Sequence, residues 1–323
     1  MAVIAAKLGL VDLIDVQSAL KRRLQLILDS AMPRKVVVII NGKGGVGKSS
    51  TAVALAYDLS QSGHRVLLVE LDEQGNNCED LGLTGGALAD NGKAQADAVL
   101  DGTPLVPTGE ARPNLFVVPG GTELEAVVEE LYVQKRYASY QDDPAAQTAW
   151  MGMYAAAIDA VRDQYDVIIL DVAPGSDVLQ LQALVAGDMV VIPSKSDPSS
   201  RKGLRVVARR FEKALQLNPG LRLLGVVLFA TNTSATRVIK NIKAHLEADL
   251  DGAAPVFKQS IRHVEAAAVA CRTKGIVPQE ADESHEFDAA TLKSIRSLAS
   301  DYRALGMEFL QAVAASKKET DAA

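Results

Sequence analysis

Aromatic residues are scarce in this 323-residue chain: one tryptophan, six phenylalanines and seven tyrosines make up 4%. So thin a supply argues against a stacking platform for single-stranded nucleic acid, which needs an aromatic face for each base it holds. Cysteine is scarcer still. Cys78 and Cys271 stand alone, outside any CxxC or Cys/His spacing, so neither a disulfide framework nor a zinc site is expected. The four histidines, His64, His245, His263 and His285, are scattered and read as surface or cap residues. No apolar run approaches the ~20 residues that a membrane-spanning helix requires. The start, MAVIAAKLGLVDLID, lacks a basic leading stretch and meets acids early, so it does not read as a signal peptide. A cytoplasmic setting is the expectation. Basic charge does not dominate either: 34 Lys and Arg against 40 Asp and Glu give a net charge of −6. That disfavours a uniformly basic nucleic-acid binder and leaves room for a local basic patch.

Aliphatic residues, by contrast, are plentiful, and they come in runs. KVVVII, RVLLVEL, NLFVVP, DVIILDV, DMVVIP, LRLLGVVLFA and PVFKQSI read as buried strands, separated by Ala/Leu-periodic stretches long enough for crossover helices. The alternation predicts an α/β fold with a mostly parallel central sheet and helices on both faces. One domain is expected over 35–316. A helical extension, 1–34, precedes it, with Leu13, Leu20, Leu24 and Ile27/Leu28 at helical spacing and Lys21, Arg22 and Arg23 between them. That helix either packs on its own domain or forms a dimer contact. Leu292, Ile295, Leu298, Tyr302, Leu305 and Phe309 predict a closing amphipathic helix, with 317–323 as a flexible tail.

Between the first strand and the first helix lies VIINGKGGVGKSSTAVALA. Gly42-Lys43-Gly44-Gly45-Val46-Gly47-Lys48-Ser49 fits G-x-x-x-x-G-K-[ST] in the strand–loop–helix context the motif needs. The glycines let backbone N–H groups close on phosphate oxygens, and the helix N-terminus adds positive potential. In that arrangement Lys48 holds the terminal phosphates and the Ser49 hydroxyl ligates Mg2+. One lysine suffices for this. Lys43, taken alone, reads as a solvated loop charge.

The stretch KGGVGKSS matches the deviant Walker A loop, and the sequence resembles the ParA/MinD family of P-loop ATPases, most of all the ParA-type DNA-partition ATPases. VLLVELDEQGNN is similar to the family's D-x-D-P-Q-G-N motif, with Glu70 in place of the first Asp and Glu73 in place of Pro. YDVIILDVAPG resembles its Walker B strand, and ALVAGDMVVIPSKSD and GVVLFATN continue the likeness. The segment QSIRHVEAAAVACRTKGIVP resembles a late family segment without its proline. The resemblance implies a slow, Mg2+-dependent ATP hydrolase whose catalytic residues are Lys43, Lys48 and Asp72. Lys43 would reach across a nucleotide-sandwich homodimer to the partner's phosphates. Asp72 would orient the attacking water, and Asp171, with Ser49, would hold Mg2+. Residues Gly42 to Ser49, together with Ser50 and Asn232, would contact the nucleotide, Asn232 at the adenine. ATP rather than GTP follows from the resemblance only.

Three readings of the ATPase's target compete. A metal-cluster relative would need a cysteine soon after the acidic strand end, and DVAPGSDVLQ has none. A MinD-like membrane positioner would need a basic amphipathic C-terminal helix, whereas ALGMEFLQAVAASKKETDAA ends in acids and alanines. The DNA reading has a positive feature. In SSRKGLRVVARRFEKAL, Arg201, Arg205, Arg209 and Lys213 fall at successive i+4 positions, widened by Lys202 and Arg210. Leu204, Val207, Phe211 and Leu215 form a separate apolar face. Such faces are often simply solvated. Arg237 and Arg262, however, lie where relatives of the resembled family carry DNA-contacting arginines. The expectation is a nucleoid-associated ATPase that binds double-stranded DNA without sequence preference, with a ParB-like adaptor stimulating hydrolysis. The 34-residue extension is too short for a helix-turn-helix domain.

Overall fold

The computed structural model describes residues 13–29, 35–232, 236–250 and 255–321. Eight strands form one sheet: β1 (Val36–Ile39), β2 (Val66–Leu71), β3 (Gly109–Arg112), β4 (Leu115–Val118), β5 (Val167–Val172), β6 (Met189–Ser194), β7 (Arg222–Thr231) and β8 (Val256–Arg262). Their spatial order is β3-β4-β2-β5-β1-β6-β7-β8. All neighbours are parallel except β3, which runs antiparallel to β4. The seven strands expected from apolar runs are all present.

β1 shows why those runs carry no polar alternation. Its four residues are all fully buried; Val36 and Val38 point into one hydrophobic cluster, Val37 and Ile39 into another. A strand covered on both faces has no wet side to mark. The helix Lys48–Gln61 and the closing helix Ala289–Asp321 cover one face. The helices Asp177–Ala186 and Pro198–Leu215 cover the other. From β1 the chain crosses towards β2, and from β5 it crosses the other way towards β6, although β1 and β5 are neighbours. Loops that diverge in this way open a crevice at the carboxyl ends of both strands, where ligands bind in α/β sheets.

The edge strand β3 has the sequence GEAR and no apolar run to announce it. Arg112 anchors it instead, donating to the Glu280 carboxylate and to Gly275 O at 3.0 Å. The helix Leu13–Leu28 packs on its own domain. Leu20 fills the space beside Gly152, where a Cβ would stand 2.6 Å from it. Arg23, only 2% exposed, donates to Asp159 (2.6 Å) and to Ala186 O (2.8 Å). The side chains of Leu13 and Leu28 lie outside the described residues. Leu292, Ile295, Leu298, Tyr302, Leu305 and Phe309 are all buried, as their spacing requires. Their helix runs to Asp321; 322–323 lie outside the described residues.

Candidate functional site

The glycine loop follows β1 into the crevice. Gly45 (φ 67°) and Gly47 (φ 83°) are left-handed, a conformation that side chains disfavour. Gly47 is doubly constrained, because a Cβ there would lie 2.2 Å from the ring of Phe229 on β7. The helix Lys48–Gln61 starts directly after it, and its N-cap glycine supplies no side-chain cap. Its first N–H groups therefore remain available to an anion.

Lys48 is 7% exposed, and burial lowers its pKa while Asp171 and Asp72 push it back up. Asp171, at the end of β5, is 1% exposed, and neither carboxylate oxygen has a partner at hydrogen-bond geometry among the described residues. Burial pushes its carboxyl up to about 7, although the nearby Ser49 hydroxyl and Lys48 ammonium both pull it down. A buried carboxylate with no partner is costly. An orphaned carboxylate beside a serine hydroxyl fits the hard oxygen ligation that Mg2+ demands. Ser50 behaves differently. Its hydroxyl lies near the buried Tyr302 and pulls that phenol's pKa down against the effect of burial.

Asp72 closes a tight turn, its Oδ1 accepting from the Gln74 N–H at 3.0 Å, and it remains 8% exposed at the crevice. The Glu73 found where the resembled motif has Pro does not prevent this turn. Glu70 is fully buried and fastens the surroundings of Asp72. Its two carboxylate oxygens accept from the N–H groups of Asn77 (2.9 Å) and Gly120 (3.2 Å). Burial, then the neighbouring Asp171, push the Glu70 carboxyl up to about 8. Gly120 has no room for a side chain: a Cβ would lie 2.2 Å from Asp72 O.

Lys43 turns towards its own chain. Its Nζ lies 2.8 and 3.0 Å from the carboxylate oxygens of Asp197, in the segment after β6, and its N–H donates to Asn41 Oδ1 at 2.9 Å. The same segment carries Lys195, whose Nζ stands 4.0 Å from where a Gly45 Cβ would be. Three lysines thus converge on one loop, an arrangement suited to a polyphosphate.

The family model AAA_31, described as "AAA domain", matches residues 34–223. The chromosome partitioning protein ParA of Caulobacter vibrioides is 31% identical over 229 residues, 67% of this chain and 78% of that protein. Soj of Bacillus subtilis, a sporulation initiation inhibitor protein, is 31% identical over 218 residues, 65% of this chain and 79% of its own length. The chain belongs to the ParA/MinD family of P-loop ATPases. Solved structures agree on the fold. Apo McdA of Cyanothece superimposes with a TM-score of 0.61 at 20% identity, over 84% of this chain and 99% of that one. A putative plasmid partition protein of Borrelia burgdorferi bound to AMPPNP gives 0.60 at 18%, over 86% and 99%.

Within this ParA/MinD-type chain, the basic helix Pro198–Leu215 rests directly on the phosphate loop. A Cβ on Gly42 would touch Val206 at 3.1 Å, and one on Gly203 would lie 2.4 Å from Asn41 Oδ1. Val207 is buried, and Leu204, Phe211 and Leu215 pack against the same core, as the apolar face requires. Arg205, Arg209 and Lys213 are exposed, Lys213 with its Nζ 5.8 Å from the Trp150 ring centre. The side chains of Arg201 and Lys202 lie outside the described residues. Arg210 does not widen the basic face; it turns inward and donates to Gln180. Arg237 is exposed on the helix Thr236–Leu250. Arg262 is committed elsewhere: its guanidinium grips both oxygens of Asp301 at 2.6 and 2.8 Å, pinning β8 to the closing helix. Its place in the chain suggested a DNA contact; in the fold its side chain is 30% exposed and paired with Asp301. Asn232 lies exposed at the end of β7, two residues after Ala230, whose φ of 55° is unusual for alanine.

No helix among the described residues is long and apolar enough to cross a membrane. The two cysteines are buried, and burial pushes their thiols up to about 11 (Cys78) and about 12 (Cys271).

Proposed function

We propose that this chain is a ParA-like DNA-partition ATPase. ATP and Mg2+ bind in the glycine loop, a sandwich dimer forms with Lys43 contributing to the partner's nucleotide, and the dimer binds double-stranded DNA without sequence preference. A small DNA-binding adaptor of the ParB kind stimulates hydrolysis, and the cycle moves or positions a plasmid, chromosome or other cargo. The observation that carries this reading is the helix Pro198–Leu215, whose inner side abuts Gly42 and Asn41 while its outer side exposes Arg205 and Arg209.

Catalysis in this reading is positioning and charge neutralisation. The loop N–H groups and Lys48 hold the phosphates, and Asp72 orients the attacking water. Ser49, and Asp171 through water, would hold Mg2+, which would supply neutralising charge to the phosphates. A monomer offers one short basic face and few phosphate contacts. A dimer brings two faces onto one duplex, and the second contact is then effectively intramolecular.

Mobility shifts on two unrelated duplexes, each with ATP and with ADP, test the proposal. Binding of both duplexes with ATP alone, falling steeply with salt, is expected, and Arg205→Glu/Arg209→Glu should abolish it. Equal binding in both nucleotide states, or none with ATP at low salt, would overturn the DNA reading. ATP-dependent pelleting with liposomes would then favour a membrane positioner.

A further inference from the structure

Gln180, in the helix Asp177–Ala186, is completely buried and touches three elements at once. Its Nε2 donates to Ala173 O (2.8 Å) and Pro174 O (3.1 Å), in the turn just after Asp171, and to Asn41 O (3.4 Å), at the mouth of the phosphate loop. Its Oε1 accepts from Nη1 of Arg210 on the basic helix. Carbonyls on one side and a guanidinium on the other fix which end of the amide is nitrogen.

An amide nitrogen has two hydrogens, and here three carbonyls compete for them. The contact with Asn41 is the longest, so the phosphate loop holds the weakest claim. Two arrangements are therefore open to Gln180: both hydrogens on the Ala173–Pro174 turn, or one shared with the loop. Any shift of the turn or of Asn41 changes the choice and reorients the amide. Arg210 is bound to the oxygen of that same amide and is half-buried. A half-buried guanidinium that loses this acceptor gives up a charge-assisted hydrogen bond, which biases Arg210 to follow the amide.

The basic helix has little slack to absorb such a shift. A Cβ added at Gly203 would run into Asn41, and one at Gly42 would press on Val206, so helix and loop are close-packed here. We infer that Gln180 and Arg210 are positioning residues that transmit the state of the phosphate loop and of the Asp171 turn to the basic helix. They set how much DNA affinity differs between ATP and ADP. The inference rests on the proposed reading for what the loop and the helix bind.

Trp150, the sole tryptophan, offers a readout that needs no DNA. Its carbonyl accepts from Gln182, two residues beyond Gln180, and the Nζ of Lys213 on the basic helix stands over its ring. Movement of that helix should therefore alter its emission.

The experiment uses the full chain and its Arg210→Met variant, which keeps a comparable stem and loses the guanidinium. ATP affinity is measured by calorimetry, Trp150 emission is recorded with ATP and with ADP, and DNA affinity is compared in both states. In wild type, ATP should shift the emission and raise DNA affinity at least tenfold over ADP. In Arg210→Met, ATP affinity should stay within about twofold, while the emission shift is lost and the ATP-to-ADP ratio falls towards one. Arg209→Ala should weaken DNA binding in both states and leave the ratio unchanged. A wild-type ratio and emission shift in Arg210→Met would overturn the inference, as would ATP binding to wild type without any change at Trp150. If Arg210→Met does not fold, Arg210→Leu, which also lacks a donor for Gln180, is read in the same way. An intact ATP-dependent shift at Trp150 without DNA binding would sink the partition reading and leave the coupling standing.

Discussion

Lys43 and Asp197 form a two-pronged ion pair, with Nζ at 2.8 and 3.0 Å from the two carboxylate oxygens, that joins the phosphate loop to the segment leading into the basic helix. The lysine that would serve the partner's nucleotide is thus held by its own chain. Both side chains are about a third exposed (33% and 39%), and pairs so exposed contribute under about 1 kcal/mol. Such a hold can restrain Lys43 without locking it. Asp197→Asn should let the ATP dimer form at lower protein concentration, by up to about thirtyfold, since two such pairs open in each dimer. Light scattering with ATP and Mg2+ measures this, and a weaker dimer in Asp197→Asn would mean that Asp197 supports the interface rather than restraining Lys43.

Lys48 and Asp72 should separate binding from chemistry. Lys48→Ala removes the buried ammonium that faces both acids, and ATP affinity should fall at least a hundredfold. Asp72→Ala leaves the loop and its lysines in place, so ATP should still bind and a dimer should accumulate without turnover. Calorimetry and phosphate release distinguish the two variants. Steady hydrolysis by Asp72→Ala would remove it from the water-orienting role.

Gly47 is where a single methyl group should do most harm. Its φ of 83° strains any L-residue by about 1–2 kcal/mol, and the Phe229 ring occupies the position of the missing Cβ. Gly47→Ala should therefore displace the loop and cost at least tenfold in ATP affinity. Adding Phe229→Ala should recover part of that loss, because it clears the steric overlap and leaves the backbone strain. Full recovery in the double variant would show that strain at Gly47 is negligible.

The loop was legible in the sequence because its chemistry is local: glycines, lysines and a hydroxyl within eight residues, between a strand and a helix. The central strands were legible because burial on both faces leaves unbroken aliphatic runs; the edge strand β8 showed only through Val256, Phe257 and Ile261. β3 was not, since Arg112 and its distant partner Glu280 place it rather than any periodicity. Arg210 was misread, and the partner of Arg262 missed, for a related reason. Helical spacing and likeness say where a cation lies on its element, but not that Asp301 or Gln180 stands opposite. Lys195 and Asp197 were passed over in IPSKSD, although two charges directly after a strand end at the crevice were a usable signal. Glu70 was seen only as a departure from a motif; its role depends on Gly120, fifty residues away.

Glu70 also predicts how stability responds to pH. Its carboxyl, ordinarily near 4.5, is pushed up to about 8 in the folded chain, first by burial and then by Asp171. Between those values the folded chain keeps a proton that the unfolded chain releases. The stabilisation from this group is therefore complete below about pH 4.5 and is lost as pH rises towards 8, by at most about 1.4 kcal/mol per pH unit for one proton. Asp171, pushed up to about 7, adds to the same trend. Glu70→Gln removes the titration but replaces one accepting oxygen with a donor, which opposes the N–H of Asn77 or Gly120 and costs about 1–3 kcal/mol. Without nucleotide, the variant should therefore melt below wild type at pH 6, and the gap should narrow towards pH 8. Thermal melts at the two pH values measure it. A gap that stays constant or widens would mean that Glu70 is already ionised at pH 6 and that its two N–H donors outweigh its burial.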